Sequence, residues 1–253
     1  MNSNNQKIIS NAIKSVSDYL DDLSKDTDDL KKEKAVKLAY WLNDYIRFLK
    51  FEDNFEPQKC KKYKHGDIIK VHLGFNIGSE EGGLHYAVVI DKNNSIHSPT
   101  LTIVPLTSIK PDREKKLYDN EVNCGNAFYK ALFSKIETTN DKLGEDITRL
   151  DKAMKLTKTT GNFESIESLK TELDRLISES NRLKKMMKEI QRMKNGSIAL
   201  IGQITTISKI RIYDPKSKYD VLHGIKMPDE VLDIIDGKIR QLYANEGLFS
   251  ENY

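Results

Sequence analysis

Gly66–Thr107 reads GDIIKVHLGFNIGSEEGGLHYAVVIDKNNSIHSPTLTIVPLT, and the reading of this stretch decides the fold. Ile68 to Leu73 is rich in β-branched residues and predicts a strand. A loop follows, Gly78-Ser79-Glu80-Glu81-Gly82-Gly83-Leu84-His85, dense in glycine. Tyr86 to Ile90 predicts a second strand. A polar turn at Lys92-Asn93-Asn94 and the pair Ser98-Pro99 separate it from a third, Leu101 to Leu106. A polar, glycine-rich loop between two strands can bring backbone N–H groups close to a charged ligand. This one also carries a hydroxyl, two carboxylates and an imidazole.

Outward from this stretch the pattern turns helical. On the N-terminal side, Ile9, Ala12, Ile13, Val16, Leu20 and Leu23 recur at steps of three and four, predicting a helix over 7–24. A second helix is predicted over 29–51, with a stripe of Ala35, Leu38, Leu42, Tyr45 and Leu49 widened by Trp41, Ile46 and Phe48. A stripe so wide has to be covered, either by the strands or by a partner. Pro57 stops the helical pattern, and Lys59, Lys61, Lys62 and Lys64 around Tyr63 lead into the first strand. Such a basic run is a solvated linker or a phosphate contact.

On the C-terminal side, Lys110–Lys116 reads as a charged loop and Leu117–Asn123 as a further strand. The period then changes. Ile136, Leu143 and Leu150 interleave with Ile147 and Met154. After a break at 158–162, Ile166, Leu173, Ser180 and Met187 interleave with Leu169, Leu176, Leu183 and Ile190. This predicts an antiparallel helical hairpin of coiled-coil type that stops at Asn195-Gly196. Its heptads can satisfy one another, so the strands are expected to fold without residues 128–193. Ser197 to Ile207 predicts one long late strand. A last helix begins near Pro228 with Val231, Ile234, Ile235, Ile239 and Leu242 as its buried face. The divisions are therefore 1–58, a helical extension; 59–123, the first strands; 124–195, the hairpin; and 196–253, the late strand and last helix.

Composition narrows the class. The charged fraction is 31% but the net charge is only +3, so no strong basic field marks the chain, although RNA binding remains compatible with it. Cys60 and Cys124 do not make a disulfide framework and read as spectators in a reducing, cytoplasmic setting. No signal-peptide pattern or bilayer-length apolar run is present in the sequence, and a soluble protein is expected. His65, His72, His97 and His223 lack metal-ligand spacing, and Glu80-Glu81 has no third carboxylate nearby in the sequence. No metal or other cofactor is expected.

Several of these residues, taken in order, resemble the PemK/MazF family of toxin endoribonucleases. They are Gly66-Asp67, Gly78-Ser79-Glu80 with Gly83, Ala87-Val88-Val89-Ile90, Ser98-Pro99-Thr100 and Thr107-Ser108. A later block, Ser197 to Ile204 followed by Thr206-Ile207, is similar to the family's late strand. The resemblance covers residues 64–123 and 196–243. It implies an α+β protein: a small SH3-like β-barrel with a C-terminal helix, here with an N-terminal helical pair and an inserted hairpin. It also implies single-stranded RNA as substrate, a cognate antitoxin as partner and pairing of two barrels in a homodimer.

The family's chemistry uses an arginine of the glycine-rich loop and a threonine or serine after the third strand. Those positions are His85 and Thr107. The family's usual Arg-Pro is replaced here by His85-Tyr86. Imidazole exchanges protons near neutrality, with a reference value of about 6.5. It lacks the permanent charge and bidentate fork of a guanidinium. The resemblance assigns Ser79, Glu80 and Gln203 to substrate binding. Two rivals stand beside a metal-independent ribonuclease. One is a protein-binding toxin like the CcdB gyrase poisons, whose C-terminal helix bears a tryptophan; here the single Trp is Trp41 and the chain ends Leu248 to Tyr253. The other is a catalytically inactive RNA-binding barrel.

Overall fold

The computed structural model describes residues 2–109, 117–160, 164–191 and 196–244. Residues 110–116, read above as a charged loop, part of the break at 158–162, Asn195 and the C-terminal Leu248–Tyr253 lie outside them. The chain divides into two compact units, Met1–Phe55 with Leu73–Gly83, and Glu56–His72 with Leu84–Tyr253.

The first unit contains α1 (Ser3–Lys25) and α2 (Asp29–Glu52), which pack against each other. Asn2 and Asp28 cap them, each side chain accepting a hydrogen bond from the backbone N–H two residues on. Leu23 and Ala35 are buried. Along α2, Trp41 lies 5.6 Å from the Tyr45 ring and 6.2 Å from Phe48. Tyr45, Ile46 and Leu49, expected to be covered, are exposed, as are Ile9, Ile13 and Val16 of α1. Leu38, Trp41, Leu42 and Phe48 are half-buried, so the wide apolar stripe is only partly covered.

The second unit is built on an antiparallel sheet of β1 (Ile68–His72), β2 (Leu84–Val89), β3 (Thr100–Ser108), β4 (Glu121–Gly125), β5 (Ser197–Leu200), β6 (Thr205–Ser208) and β7 (Ile212–Asp214). The strand path is β4-β5-β3-β2-β1-β7, with β6 branching from β3. The mixed α+β class holds, but among the described residues no ladder joins β4 to β7, so the sheet is not closed. The reason lies at β3. Along one edge it pairs with β2; along the other it pairs with β6 over Thr100–Ile103 and with β5 over Leu106–Ser108. Val104 and Pro105 have no partner on that second edge. Proline, which has no N–H to give, sits where the pairing changes hands.

The late stretch is consequently two strands rather than one. Between them Ile201–Gln203 makes a 3₁₀ turn, held by Gly202 N–H donating to Asn120 O at 3.1 Å. Its three residues absorb the change of register between the two halves of β3. The strand at 117–123 begins later, at Glu121, and β2 begins earlier, at Leu84. Ile68-Ile69 and Ala87-Val88-Val89 are all at 0% exposure. Neighbouring residues buried on both faces explain why these strands read as continuous apolar runs rather than alternating ones.

Helices α3 (Ala127–Thr160) and α4 (Glu164–Ile190) run between β4 and β5, which are hydrogen-bonded neighbours. Of the two heptad positions predicted on each helix, one faces inward (Ile136, Leu143 and Leu150; Leu169, Leu176, Leu183 and Ile190) and the other does not. On α4 the seam follows Leu176, Leu183 and the buried Met186, while Ile166, Leu173 and Met187 are exposed. On α3 it follows Leu132, Asp146 and Leu150, while Ile147 and Met154 are exposed. Asp146 and Arg175 cross the hairpin at 2.6 Å.

Nor is the hairpin independent of the sheet. Phe128, Leu132 and Met186 join one core cluster with Val88, Val104, Leu106 and Ala199. Glu189 of α4 also accepts hydrogen bonds from Lys70 of β1 and Tyr86 of β2. Truncating one buried Leu or Met costs about 2–5 kcal/mol, against a typical total stability of about 5–15 kcal/mol. This shared core argues against the expectation that residues 128–193 can be spared.

Helix α5 (Asp229–Tyr243) begins after Pro228, with Asp229 and Glu230 in its first turn. Its buried face includes Leu232 and Ile235, whereas Ile234 and Leu242, expected inside, are exposed.

Replacing 128–193 with a Gly/Ser linker should abolish cooperative thermal unfolding followed by circular dichroism. Replacing only 141–179, which keeps Phe128, Leu132 and Met186, should preserve it. A cooperative melt of the longer deletion would refute the shared core.

The Arg175 guanidinium, through its hydrogen bond, holds the Asp146 carboxyl below the usual carboxylate range. Because the folded-state value is depressed, the pair's stabilisation is present above the unfolded value and lost as pH falls through the folded one. Asp146→Asn should lower the melting temperature at neutral pH, and the gap to wild type should close on acidification. A gap that stays constant with pH would show that packing rather than charge is responsible.

Candidate functional site

Strands β2 and β3 position the two residues on which the chemistry was predicted to rest. Their ladder pairs Tyr86 with Leu106, Ala87 with Pro105, Val88 with Val104 and Val89 with Ile103. The ladder ends at Tyr86 and Leu106, and His85 and Thr107 are the next residues of the two strands beyond it. His85 is thus the second residue of β2, not a loop residue. It is half-buried and pairs on its other edge with Val71 of β1.

Its ring Nδ1 lies 3.4 Å from Leu106 O, at the long end of hydrogen-bond range. Donation from Nδ1 to this carbonyl selects the tautomer whose lone pair is on Nε2, the atom that then exchanges a proton. Thr107 pairs with Ile198 of β5 and lines a small cleft of about 40 Å³ together with Tyr86, Ser108, Tyr129 and Ser197. Within this cleft Ser197 Oγ is buried without a hydrogen-bond partner among the described residues. Ser197 was read only as the start of a strand; nothing in a lone serine marks it as a cleft residue.

Ser79 and Glu80 lie on the exposed loop Leu73–Gly83 of the other unit. That loop is tied to itself. Leu73 N–H donates to Gly83 O at 2.7 Å, and Gly83 N–H to Gly74 O at 2.6 Å. A Cβ on Gly82 would stand 3.0 Å from Gly74 O, so this crossing needs glycine. Glu80 Oε2 accepts from Ile77 N–H at 3.3 Å. Gln203 is half-buried at the end of the 3₁₀ turn between β5 and β6. His85 and Thr107 stand on adjoining strands, His85 against the Leu106 carbonyl and Thr107 in the cleft with Ser197; Gln203 stands at the break opposite β3.

Three polar residues near His85 carry no sequence signal. Lys70, Tyr86 and Glu189 form a half-buried cluster, with the Lys70 ammonium 5.1 Å from the Tyr86 ring centre. They come from two strands and from a helix more than a hundred residues away, so spacing could not reveal them.

The cysteines are placed for packing. Burial pushes the Cys124 thiol up to about 11 and raises that of Cys60 as well, which keeps both protonated near neutrality. Among the described residues no helix is long and apolar enough to cross a membrane.

An antiparallel sheet with a helical hairpin between two neighbouring strands, and with His85 and Thr107 on adjoining strands, is the frame in which the site residues stand. Residues 64–160 match the family described as PemK-like, MazF-like toxin of type II toxin-antitoxin system. The chain carries a PemK/MazF-family toxin domain. The match spans β1 to β4 and α3, whereas the later block at Ser197–Ile207 lies beyond it. No curated protein matches the chain.

Proposed function

We propose that this chain is the toxin of a toxin–antitoxin pair and an endoribonuclease acting on single-stranded RNA in the cytoplasm, silenced by a cognate antitoxin. What supports this reading is the match of residues 64–160 to a toxin family, a stretch in which His85 and Thr107 stand on adjoining strands. The open sheet is read as a variant of the family's SH3-like barrel, and two copies are expected to pair through it.

In the proposed reaction the RNA's own 2′-hydroxyl attacks the adjacent phosphorus and the 5′-oxygen leaves. One strand end then carries a 2′,3′-cyclic phosphate and the other a 5′-hydroxyl. His85 exchanges a reaction proton at Nε2, and the Thr107 hydroxyl donates to a phosphoryl oxygen. Ser79, Glu80 and Gln203 bind and orient the strand. The usual arginine would hold the phosphate permanently; histidine trades that grip for proton transfer. No divalent metal is required by these steps.

Purified protein should cut single-stranded RNA equally well with and without EDTA and leave those two end groups. His85→Ala should slow cleavage by roughly 10²–10⁴-fold, with only a modest loss of thermal stability. His85→Arg is the control: retained activity would show that the position serves the phosphate whichever side chain supplies the cation. Cleavage by His85→Ala at the wild-type rate would remove His85 from the mechanism. Absence of cleavage by the wild-type protein would sink the enzymatic reading.

A further inference from the structure

A second site is built at the opposite end of β2 from His85. The residues before β1 alternate. Tyr63 turns inward, at 2% exposure, with its hydroxyl donating to Pro215 O at 2.7 Å. Lys62 and Lys64 on either side of it are exposed. Asp67, just beyond, bridges in antiparallel fashion to Lys226. The turn after β2 contributes Lys92 and is fixed by Asn94, whose Nδ2 donates to Asp91 Oδ2 and Thr100 O, both at 3.0 Å. Lys62, Lys64, Lys92 and Lys226 thereby line one cleft of about 480 Å³ with His65 and Asn93.

The carboxylates nearest to these residues are already engaged. Asp67 takes Lys61 at 2.7 Å, Asp236 faces His65 Nε2 at 3.1 Å, and Asp91 accepts from Asn94 and from Thr102 N–H. Among the described residues none of the four lysines has a carboxylate within ion-pairing distance. In a chain of net charge +3, four uncompensated ammonium groups around one concavity concentrate the positive field. The lining is lysine, asparagine, serine and histidine, with the one tyrosine turned away. A protein partner would need apolar anchors there; phosphates need only cations and N–H donors.

We propose that this cleft binds backbone phosphates of single-stranded RNA remote from the bond being cut. This rests on the ribonuclease reading above. A strand rises about 3.3 Å per residue, so β2 separates the cleft from His85 by roughly 20 Å, a span of several nucleotides. A long RNA reaches both places and a minimal substrate reaches only His85.

The test uses the full chain and a Lys62→Gln/Lys64→Gln/Lys92→Gln/Lys226→Gln variant. All four positions are exposed, and an unchanged melting curve establishes that the variant folds. Binding of a labelled, uncleavable 2′-O-methyl RNA of about twelve nucleotides is followed by anisotropy across a salt series. The variant should bind roughly tenfold or more weakly, and its salt slope should shrink by about 0.7 for each lysine in contact. Its turnover of the shortest cleavable RNA should equal that of wild type. Unchanged affinity and slope in the variant, or no binding by wild type, would overturn the proposal. So would displacement of the RNA by pyrophosphate or a mononucleotide at equal phosphate concentration, which would make the cleft a small-anion site. If wild type binds but cuts nothing, and the variant loses binding, the cleft stands and the ribonuclease reading falls.

Discussion

Everything in the larger unit depends on the nine residues of β3 and on how hydrogen bonds are shared along its two edges. One edge is committed to β2. The other is divided between β5 and β6, with Val104-Pro105 left unpaired at the change. A buried central strand must have its polar groups paired or excused, and Pro105 has one fewer group to satisfy. The division forces the 3₁₀ turn at Ile201–Gln203, gives the sheet its branch and leaves β4 and β7 as unjoined ends. It also sets the register with β2, in which Tyr86 faces Leu106. A slip of one residue in this ladder would send the two side chains to different faces.

The helical hairpin is bound into this arrangement by chemistry of two kinds. Apolar residues at its base, Phe128, Leu132 and Met186, fill the core over the sheet. A carboxylate, Glu189, collects an ammonium and a phenol from neighbouring strands. A half-buried charge with two donors is satisfied; removing either donor leaves it exposed to the cost of burial. The distal part of the hairpin has buried Leu150 and Leu176 and the Asp146–Arg175 pair, which joins one helix to the other. Base and tip therefore contribute to different things, the sheet's core and the hairpin's own persistence.

Replacing the family's arginine by His85 changes what the proposed site asks of its surroundings. A guanidinium brings its own charge and geometry. An imidazole has to be given a tautomer, and the Leu106 carbonyl beside Nδ1 is the group in a position to give it. The affinity that a permanent cation would supply then has to come from elsewhere, and the lysines around the far end of β2 are one such source.

Much of this was legible in the residues themselves. The two N-terminal helices, the first three strands, the hairpin's helical period and the start of α5 at Pro228 follow from local spacing and caps, which operate over a few residues. The ordered glycines, strands and hydroxyls between Gly66 and Ser108 carried the resemblance to a toxin family. Half of the hairpin's seam was read correctly, at Leu150, Leu176 and Leu183; the other half was not, because Ile147, Leu173 and their repeats have the same spacing as the buried residues beside them. Period alone cannot say which of two adjacent stripes faces inward. Ile234 and Leu242 of α5 misled in the same way.

Other features were decided only by the tertiary structure. These are the splitting of the late strand, the short β7, the open sheet, the Lys70–Tyr86–Glu189 cluster and the gathering of four lysines from three segments. Each depends on which distant segments come to lie side by side, and that is fixed by pairing register and shared burial, not by neighbours in the chain.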